Sequence, residues 1–551
     1  MDEPTRPLPN PRLNKDGQWV GTSTLTPKAI TTRGVLTIPP RRVIPVIVVP
    51  GIMGSNLRAK VNPGVDKNKA LAPGEPAWRP PNGAVDGLSE VKKWKKRKPK
   101  QRQQILDPDT LEVDDSGDIN LSLFSFSDGV DERHARAHWW GEIHWGSYGN
   151  LLYTLEHNLN STYTFVKDLR VIRPHWAAVN QWDRRQWGAA SSGLTAPLTE
   201  AEFKKHAGFH FPVYACGYNW LQSNKKSAKR LKRRVKEIID FWSSRKQDCK
   251  QVILVTHSMG GLVARACAKE IPDLIAGVIH GVMPALGAPL CYRRIACGTE
   301  TSSPSASWIG NMGMEAFAVI AGEKAEETTP VMATAPGPLE LLPNHLYPKP
   351  WLFVSTKRQS SPDMDYLQLP TTDSPYDLYR DMKSWYRLID PALADPADKY
   401  NGNPAPFIIK AINQAEDFHK RVLDTYYHPN SYAFYGSDFQ QRSFGSCRWL
   451  SEPHYVGLSA SEVQKGKPEG SSTFGGGRNV SFPNKGTAYF RHMDQDASGD
   501  GTVPSQSGAG PSGKVKQLFA TRGYDHQGSY SNGAMLALTQ HLIVKIVQGV
   551  A

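Results

Sequence analysis

The 551-residue chain has no long hydrophobic run. Its longest strongly apolar stretch, Val43 to Met53, is 11 residues and includes Pro45 and Pro50, whereas a membrane-crossing helix needs about 20. The N-terminus, Met-Asp-Glu-Pro-Thr-Arg-Pro, lacks the apolar core of a secretory signal. The expectation is a protein made in the cytoplasm that stays there or is exported by a route reading no such signal. Cysteine is scarce: Cys216, Cys249, Cys267, Cys291, Cys297 and Cys447 are the only six. That excludes a disulfide scaffold, and no CxxC pair or Cys/His array has zinc spacing. Cys291 and Cys297 share a predicted loop and could bridge in an oxidising compartment, but isolated thiols are the expectation. With 39% hydrophobic and 21% charged residues the chain is not disordered, collagen-like or a membrane bundle.

The net charge of +14 is local. Lys92–Arg102 and Lys225–Lys236 each hold eight Lys/Arg and no acid, and without them the rest stands at −2. A nucleic-acid enzyme spreads its cations over a binding face, so nucleic acid is not an expected partner. The first run surrounds Trp94 and suits either an anionic membrane surface or a solvated loop. In the second, Leu231, Val235, Ile238, Ile239 and Trp242 fall on one helical stripe, with the cations opposite.

There is no internal repeat. Val43–Val49 is a β-branched run apolar on both faces, as in a strand inside a parallel sheet. Further strands are expected at 211–216, 251–256, 276–282, 432–435 and 515–519, with helices over 148–158, 225–245 and 534–547. Alternating strands and helices predict a mostly parallel α/β sheet flanked by helices. The core is expected to assemble from 43–57, 146–158, 210–290, 430–438 and 485–551. Around it stand an N-terminal arm (1–42), basic Trp-rich first insertions (58–145 and 159–209), a main cap or lid insertion (291–429) and a Gly/Ser-rich insertion (439–484).

The strand at 251–256 runs into His257-Ser258-Met259-Gly260-Gly261, the pattern of a nucleophile elbow with Ser258 at its tip. Such a turn exposes the serine oxygen and starts a helix behind it, whose free N–H groups favour negative charge. Thr256 stands where glycine is usual. A serine needs a base, and on an α/β-hydrolase the order is Ser, acid, His. His526, in the turn-rich Gly523–Gly528, is the candidate base, and His541, inside the last helix, reads as structural. Asp500 in Gly499-Asp500-Gly501 is the candidate acid, with Asp494, Asp496 and Asp525 as rivals. The oxyanion hole is expected at the backbone N–H of Met259 and, from the loop after the first strand, of Ile52. Asp496–Gly501 looks like half an EF-hand, but its twelfth position is Ser507 rather than glutamate, so calcium is not expected. His134 and His138 have metal-ligand spacing, and His144 lies near them. No general base at metalloprotease spacing accompanies them, so all three read as structural and no cofactor or metal is expected.

The segments Pro50-Gly51-Ile52-Met53-Gly54-Ser55-Asn56-Leu57, Gly217-Tyr218-Asn219-Trp220, His257-Ser258-Met259-Gly260-Gly261 and Gly499-Asp500-Gly501-Thr502-Val503-Pro504 together resemble lecithin:cholesterol acyltransferase-like lipases. The large insertions and Pro336-Gly337-Pro338-Leu339-Glu340-Leu341-Leu342-Pro343 are similar to bacterial type VI secretion lipase effectors. The motifs cover the core, and the insertions match only loosely. Val282-Met283-Pro284-Ala285 departs from the Thr-Pro-His that related lipases often carry.

The resemblance implies an α/β-hydrolase with large cap insertions acting as an antibacterial phospholipase through an acyl-serine intermediate. Ser258, Asp500 and His526 fall on the family's triad positions. It further implies secretion without a signal peptide and action in the periplasm and membrane of a target cell. The implied partners are phospholipid membrane, components of the type VI apparatus and a cognate immunity protein. An acyltransferase, a small-ester or thioester hydrolase and an inactive hydrolase-fold binding protein are the alternative readings.

Overall fold

The computed structural model describes residues 5–7, 11–21, 33–35, 38–82, 84–122, 124, 130–166, 169–189, 193–302, 308–358, 362–452, 457–470 and 476–551. Six strands form the central sheet: β1 (Val46–Val49), β2 (Val213–Ala215), β3 (Val252–His257), β4 (Ile275–Gly281), β5 (Ser431–Gly436) and β6 (Gln517–Thr521). They lie in the order β2-β1-β3-β4-β5-β6, and every neighbouring pair is parallel.

Both faces of this sheet are buried, which is why its strands are apolar throughout rather than alternating. Val46, Val48, Ile253, Val255 and Ile279 belong to one core with the helices α2 (Trp145–Leu159) and α5 (Gly533–Gln548). Ile47, Val49, Leu254 and Val278 belong to the opposite core with α3 (Asn224–Ser243) and α4 (Gly260–Glu270). The stripe of α3 is buried at Leu231, Val235, Ile238 and Trp242. The cations behind it are partly matched: Arg230 and Arg234 both reach the buried carboxylate of Glu142, at 2.9 and 2.8 Å.

The insertions hold more order than their composition suggests. A second, mixed six-stranded sheet runs Met364–Leu369, Leu352–Thr356, Cys447–Ser451, Gly486–His492, Arg478–Phe482 and Lys467–Glu469 in spatial order. Gly486–His492, from a span expected to belong to the core, pairs in this sheet. The Pro336–Pro343 segment pins the main insertion to the core. Gly337 sits so close to the Trp220 carbonyl that a side chain there has no room, and Leu341 accepts from the Ala288 N–H at 2.8 Å.

Two local expectations change, the basic loop around Trp94 and the loop holding Cys291 and Cys297. Trp94 is not an exposed aromatic in a basic loop: it is buried on a helix, Ala84–Lys96, edge-on to Trp78 at 5.9 Å. Arg102 from the same run is buried, donating to the carbonyls of Val319 and Ile320 at 2.8 and 2.9 Å. Cys291 and Cys297 lie on one helix, Pro289–Cys297, and all six cysteines are free. No helix among the described residues is long and apolar enough to cross a membrane.

Burial pushes the imidazoles of His206, His257, His280 and His492 down to about 3 and those of His175, His419 and His541 down to about 4. An unfolded histidine titrates near 6.5. Below that pH the unfolded chain takes up protons that these folded sites refuse, so stability is present above about pH 6.5 and is lost on acidification toward 4. A fully buried histidine of this kind costs on the order of 2 kcal/mol at pH 5. Urea midpoints are therefore expected to fall steadily between pH 7 and 5 and to stay level between 7 and 8.5.

Candidate active site

The site forms at the carboxyl-end edge of the sheet, beyond β1, β3, β5 and β6. After β3 the chain reverses at Ser258, whose φ of 51° is left-handed. A non-glycine residue holds that conformation only where its surroundings impose it. Here the two glycines that follow Met259 leave no alternative path. A Cβ on Gly260 would meet the Pro50 carbonyl and come within 2.5 Å of the Val49 oxygen, and one on Gly261 would sit 2.6 Å from Met283 Sδ. Thr256, the unusual residue two places before the serine, is buried, with its hydroxyl 3.2 Å from His280 Nδ1 and its carbonyl accepting from Tyr530 Oη at 2.9 Å. Met283, from the segment that departs from the family pattern, packs against Gly261.

β1 lies beside β3, with Val49 opposite Thr256, so the loop after β1 is delivered to the same turn. A Cβ on Gly51 would stand 2.8 Å from His257 Nδ1 and 2.9 Å from Ser258 Cβ. The backbone N–H groups of Ile52 and Met259 make no hydrogen bond with another described residue. Unspent backbone donors beside a nucleophile are what a developing oxyanion requires.

Asp500 and His526 come together from loops 26 residues apart. His526 Nδ1 donates to Asp500 Oδ2 at 2.8 Å, and the His526 N–H donates to the Asp500 carbonyl at 2.7 Å. The other carboxylate oxygen accepts from the N–H groups of Thr502 and Val503, at 3.0 and 2.7 Å. Asp500 is 1% exposed. Glycine is required at Gly436, the last residue of β5, because a Cβ there would sit 2.7 Å from Asp500 Cβ. With the proton of a neutral imidazole held on Nδ1, the Nε2 lone pair is left to act as a base. The rival acids have other work: Asp496 caps Gly445 at 2.7 Å and Asp525 caps Gly528 at 2.6 Å. The half EF-hand is thereby spent on backbone capping and on His526.

His257 joins these loops. Its Nε2 donates to the His526 carbonyl at 2.9 Å, and its Nδ1 accepts from Tyr148 Oη at 2.8 Å. Tyr148 Oη in turn accepts from the Gly51 N–H at 3.0 Å. The run Gly51–Tyr148–His257–His526–Asp500 thus links the loop after β1, the elbow and the base loop. Burial, and secondarily the imidazole of His526, keeps His257 at about 3 and therefore neutral. Sequence reading missed this pair: His257 stood only as an elbow residue, and nothing marked Tyr148 beyond its place in a helix. His541 and His144 are structural as expected, bonded through Nε2 to the Leu194 and Pro81 carbonyls at 2.8 and 3.0 Å.

The site lies covered. Ser258 is 4% exposed, Met259 is fully buried and the His526 side chain is 13% exposed.

A family model described as a PGAP1-like alpha/beta domain matches residues 217–301, the span from Gly217-Tyr218-Asn219-Trp220 through the elbow. The chain is also similar to a solved crystal structure of the Tle4–Tli4 complex, with 27% identity and a TM-score of 0.72 over 92% of this chain and 99% of that one. No curated protein sequence gives a significant match. The two matches bear out the α/β-hydrolase fold and the resemblance to type VI secretion lipase effectors.

Replacing Tyr148 by Phe removes one hydroxyl and leaves the buried Gly51 N–H and His257 Nδ1 unpaired. Each such orphan costs about 1–3 kcal/mol. Tyr148→Phe is expected to lower the urea midpoint measurably at pH 7, whereas an unchanged midpoint means the loops are held by other contacts.

Proposed function

We propose that this protein is an antibacterial lipase effector that hydrolyses ester bonds of membrane phospholipids. The observation that supports the reading is the His526–Asp500 hydrogen bond on a loop that His257, the neighbour of the left-handed Ser258, holds through the His526 carbonyl. That such parts recur on unrelated chemistries is the reason the substrate class rests on the resemblance to lipase effectors and not on the fold alone.

In this mechanism Ser258 Oγ attacks the ester carbonyl carbon while His526 Nε2 takes its proton. Asp500 keeps the imidazole in the Nδ1–H tautomer and stabilises the imidazolium that forms. The tetrahedral oxyanion is received by the N–H groups of Met259 and Ile52. Collapse breaks the ester bond, and His526 returns the proton to the leaving alkoxide, which departs as lysolipid. The acyl-serine is then attacked by water, with His526 again taking the proton, to release fatty acid and regenerate the serine. The covered Ser258 fits a substrate that is reached at a lipid interface rather than met freely in solution.

The proposed setting follows from the same reading. The protein is delivered by type VI apparatus components and acts on membrane from the target cell's periplasm. A cognate immunity protein would protect the producer, as the partner in the Tle4–Tli4 complex invites. No cofactor is invoked, since every step is an acyl or proton transfer.

Incubation with mixed bacterial phospholipids, followed by mass spectrometry, is expected to release fatty acids and lysolipids. Ser258→Ala is expected to abolish this by several orders of magnitude with the fold intact, and Asp500→Asn to cost about 10⁴-fold. Near-normal turnover by Ser258→Ala would remove the mechanism. Acyl transfer to an added sterol in place of hydrolysis would reassign the protein as an acyltransferase.

A further inference from the structure

A second constellation lies two turns down α2 from Tyr148, on the same face of that helix. The residues there are His134 and His138, from a short helix α1 (Glu132–Ala137) and the position just after it, and Glu156 of α2. Their ligand-type atoms all lie within 4.8 Å of one another. His134 Nε2 stands 3.4 Å from Glu156 Oε1 and His138 Nδ1 stands 3.9 Å from Oε2. The two imidazole rings are tilted against each other by 57°, with 4.1 Å between centroids.

Buried histidine nitrogens without a hydrogen bond also occur at His206, His345, His492 and His541, but here two of them converge on one carboxylate. Both nitrogens are buried and neither completes a hydrogen bond. Native interiors rarely leave such atoms unpaired without a reason. The carboxylate of Glu156 has one firm donor, the Val213 N–H at 2.7 Å. The aromatic rings of Tyr214 and Trp140 wall in the imidazoles, at 4.3 and 6.0 Å. Access remains from one side, since the side chain of His134 is 28% exposed while those of His138 and Glu156 are 13% and 7% exposed.

We infer that His134, His138 and Glu156 form a binding site for one divalent transition-metal cation, with zinc the best match. Two imidazoles and one carboxylate are a zinc ligand set, whereas calcium and magnesium demand oxygen throughout. Ligand atoms around a tetrahedral zinc lie roughly 3.4 Å apart, so a small contraction of the present group completes the geometry. The remaining coordination position falls to water. The cation would balance the buried carboxylate and leave both imidazoles neutral. Its place between the 130–145 segment, α2 and the edge strand β2 suits a clip that fastens the first insertion to the core. This site is independent of the proposed hydrolase chemistry, and no step of that chemistry passes through it. The i, i+4 spacing of the histidines was legible in the sequence; their acidic partner, 18 residues further on, was not.

The test uses the full chain, stripped with a chelator, dialysed and titrated with Zn²⁺ by calorimetry, with bound metal counted by elemental analysis. One equivalent is expected to bind with a dissociation constant in the micromolar range or tighter and to raise the melting temperature. His138→Ala and Glu156→Gln are each expected to weaken binding at least tenfold and to abolish the thermal shift. Co²⁺ supplied to the unmutated protein is expected to give visible d–d absorption of a nitrogen/oxygen site, a readout that does not depend on any variant folding. Absence of saturable Zn²⁺ binding at one equivalent, or binding unchanged in both variants, overturns the inference and leaves a histidine–glutamate ion pair.

Discussion

Everything at the candidate site depends on one buried imidazole that is kept uncharged. His257 precedes the serine in the chain, yet its ring faces away into a hydrogen-bonded run that reaches the loop after β1 on one side and the base loop on the other. Were the ring charged, Nδ1 would become a donor facing the Tyr148 hydroxyl, and the run would lose its direction. Low polarity around His257 is thus what makes it an acceptor at one end and a donor at the other. The loops it ties come from strands far apart in the sheet, and no regular backbone pairing joins them. The Gly281 position shows how the far loop gets there: a Cβ on that residue would lie 2.6 Å from Tyr530 Oη, so the end of β4 must be bare for the chain to cross it.

The central sheet was readable because its physics is local. A strand covered on both faces must be apolar at every position, and Val46–Val49 and Val252–Val255 are. The elbow was readable because a strand, a serine and two glycines in that order have few other uses. His526 and Asp500 were placed by topology, and the structure brings their side chains into contact. Tyr148 and His257 escaped because a tyrosine inside an amphipathic helix and a histidine at a strand end carry no signal of what they face. Their partners are 97 and 269 residues away.

The insertions were the least legible part, for an equally physical reason. Their strands are short, mixed in direction and interrupted by Pro and Gly, so neither the period of a helix nor the uniform apolarity of a buried parallel strand stands out. The sheet that contains Leu352–Thr356 and Cys447–Ser451 joins segments almost a hundred residues apart, and only tertiary pairing reveals it. Trp94 misled for a related reason. Its neighbours in sequence are lysines, but its neighbours in space are Trp78 and the guanidinium of Arg97, 4.1 Å above its ring. Composition describes what adjoins a residue along the chain, and a helix turns most of that to the other side.

The six thiols have a consequence for where such a molecule can travel. Five of them are buried, and loss of water pushes Cys216 up to about 11 and Cys249 and Cys291 up to about 12. Protonated sulfur is a poor nucleophile toward disulfides and oxidants. The polypeptide can therefore pass from a reducing to an oxidising environment with its covalent structure unchanged. No cross-link among the described residues has to form or break for the fold to hold.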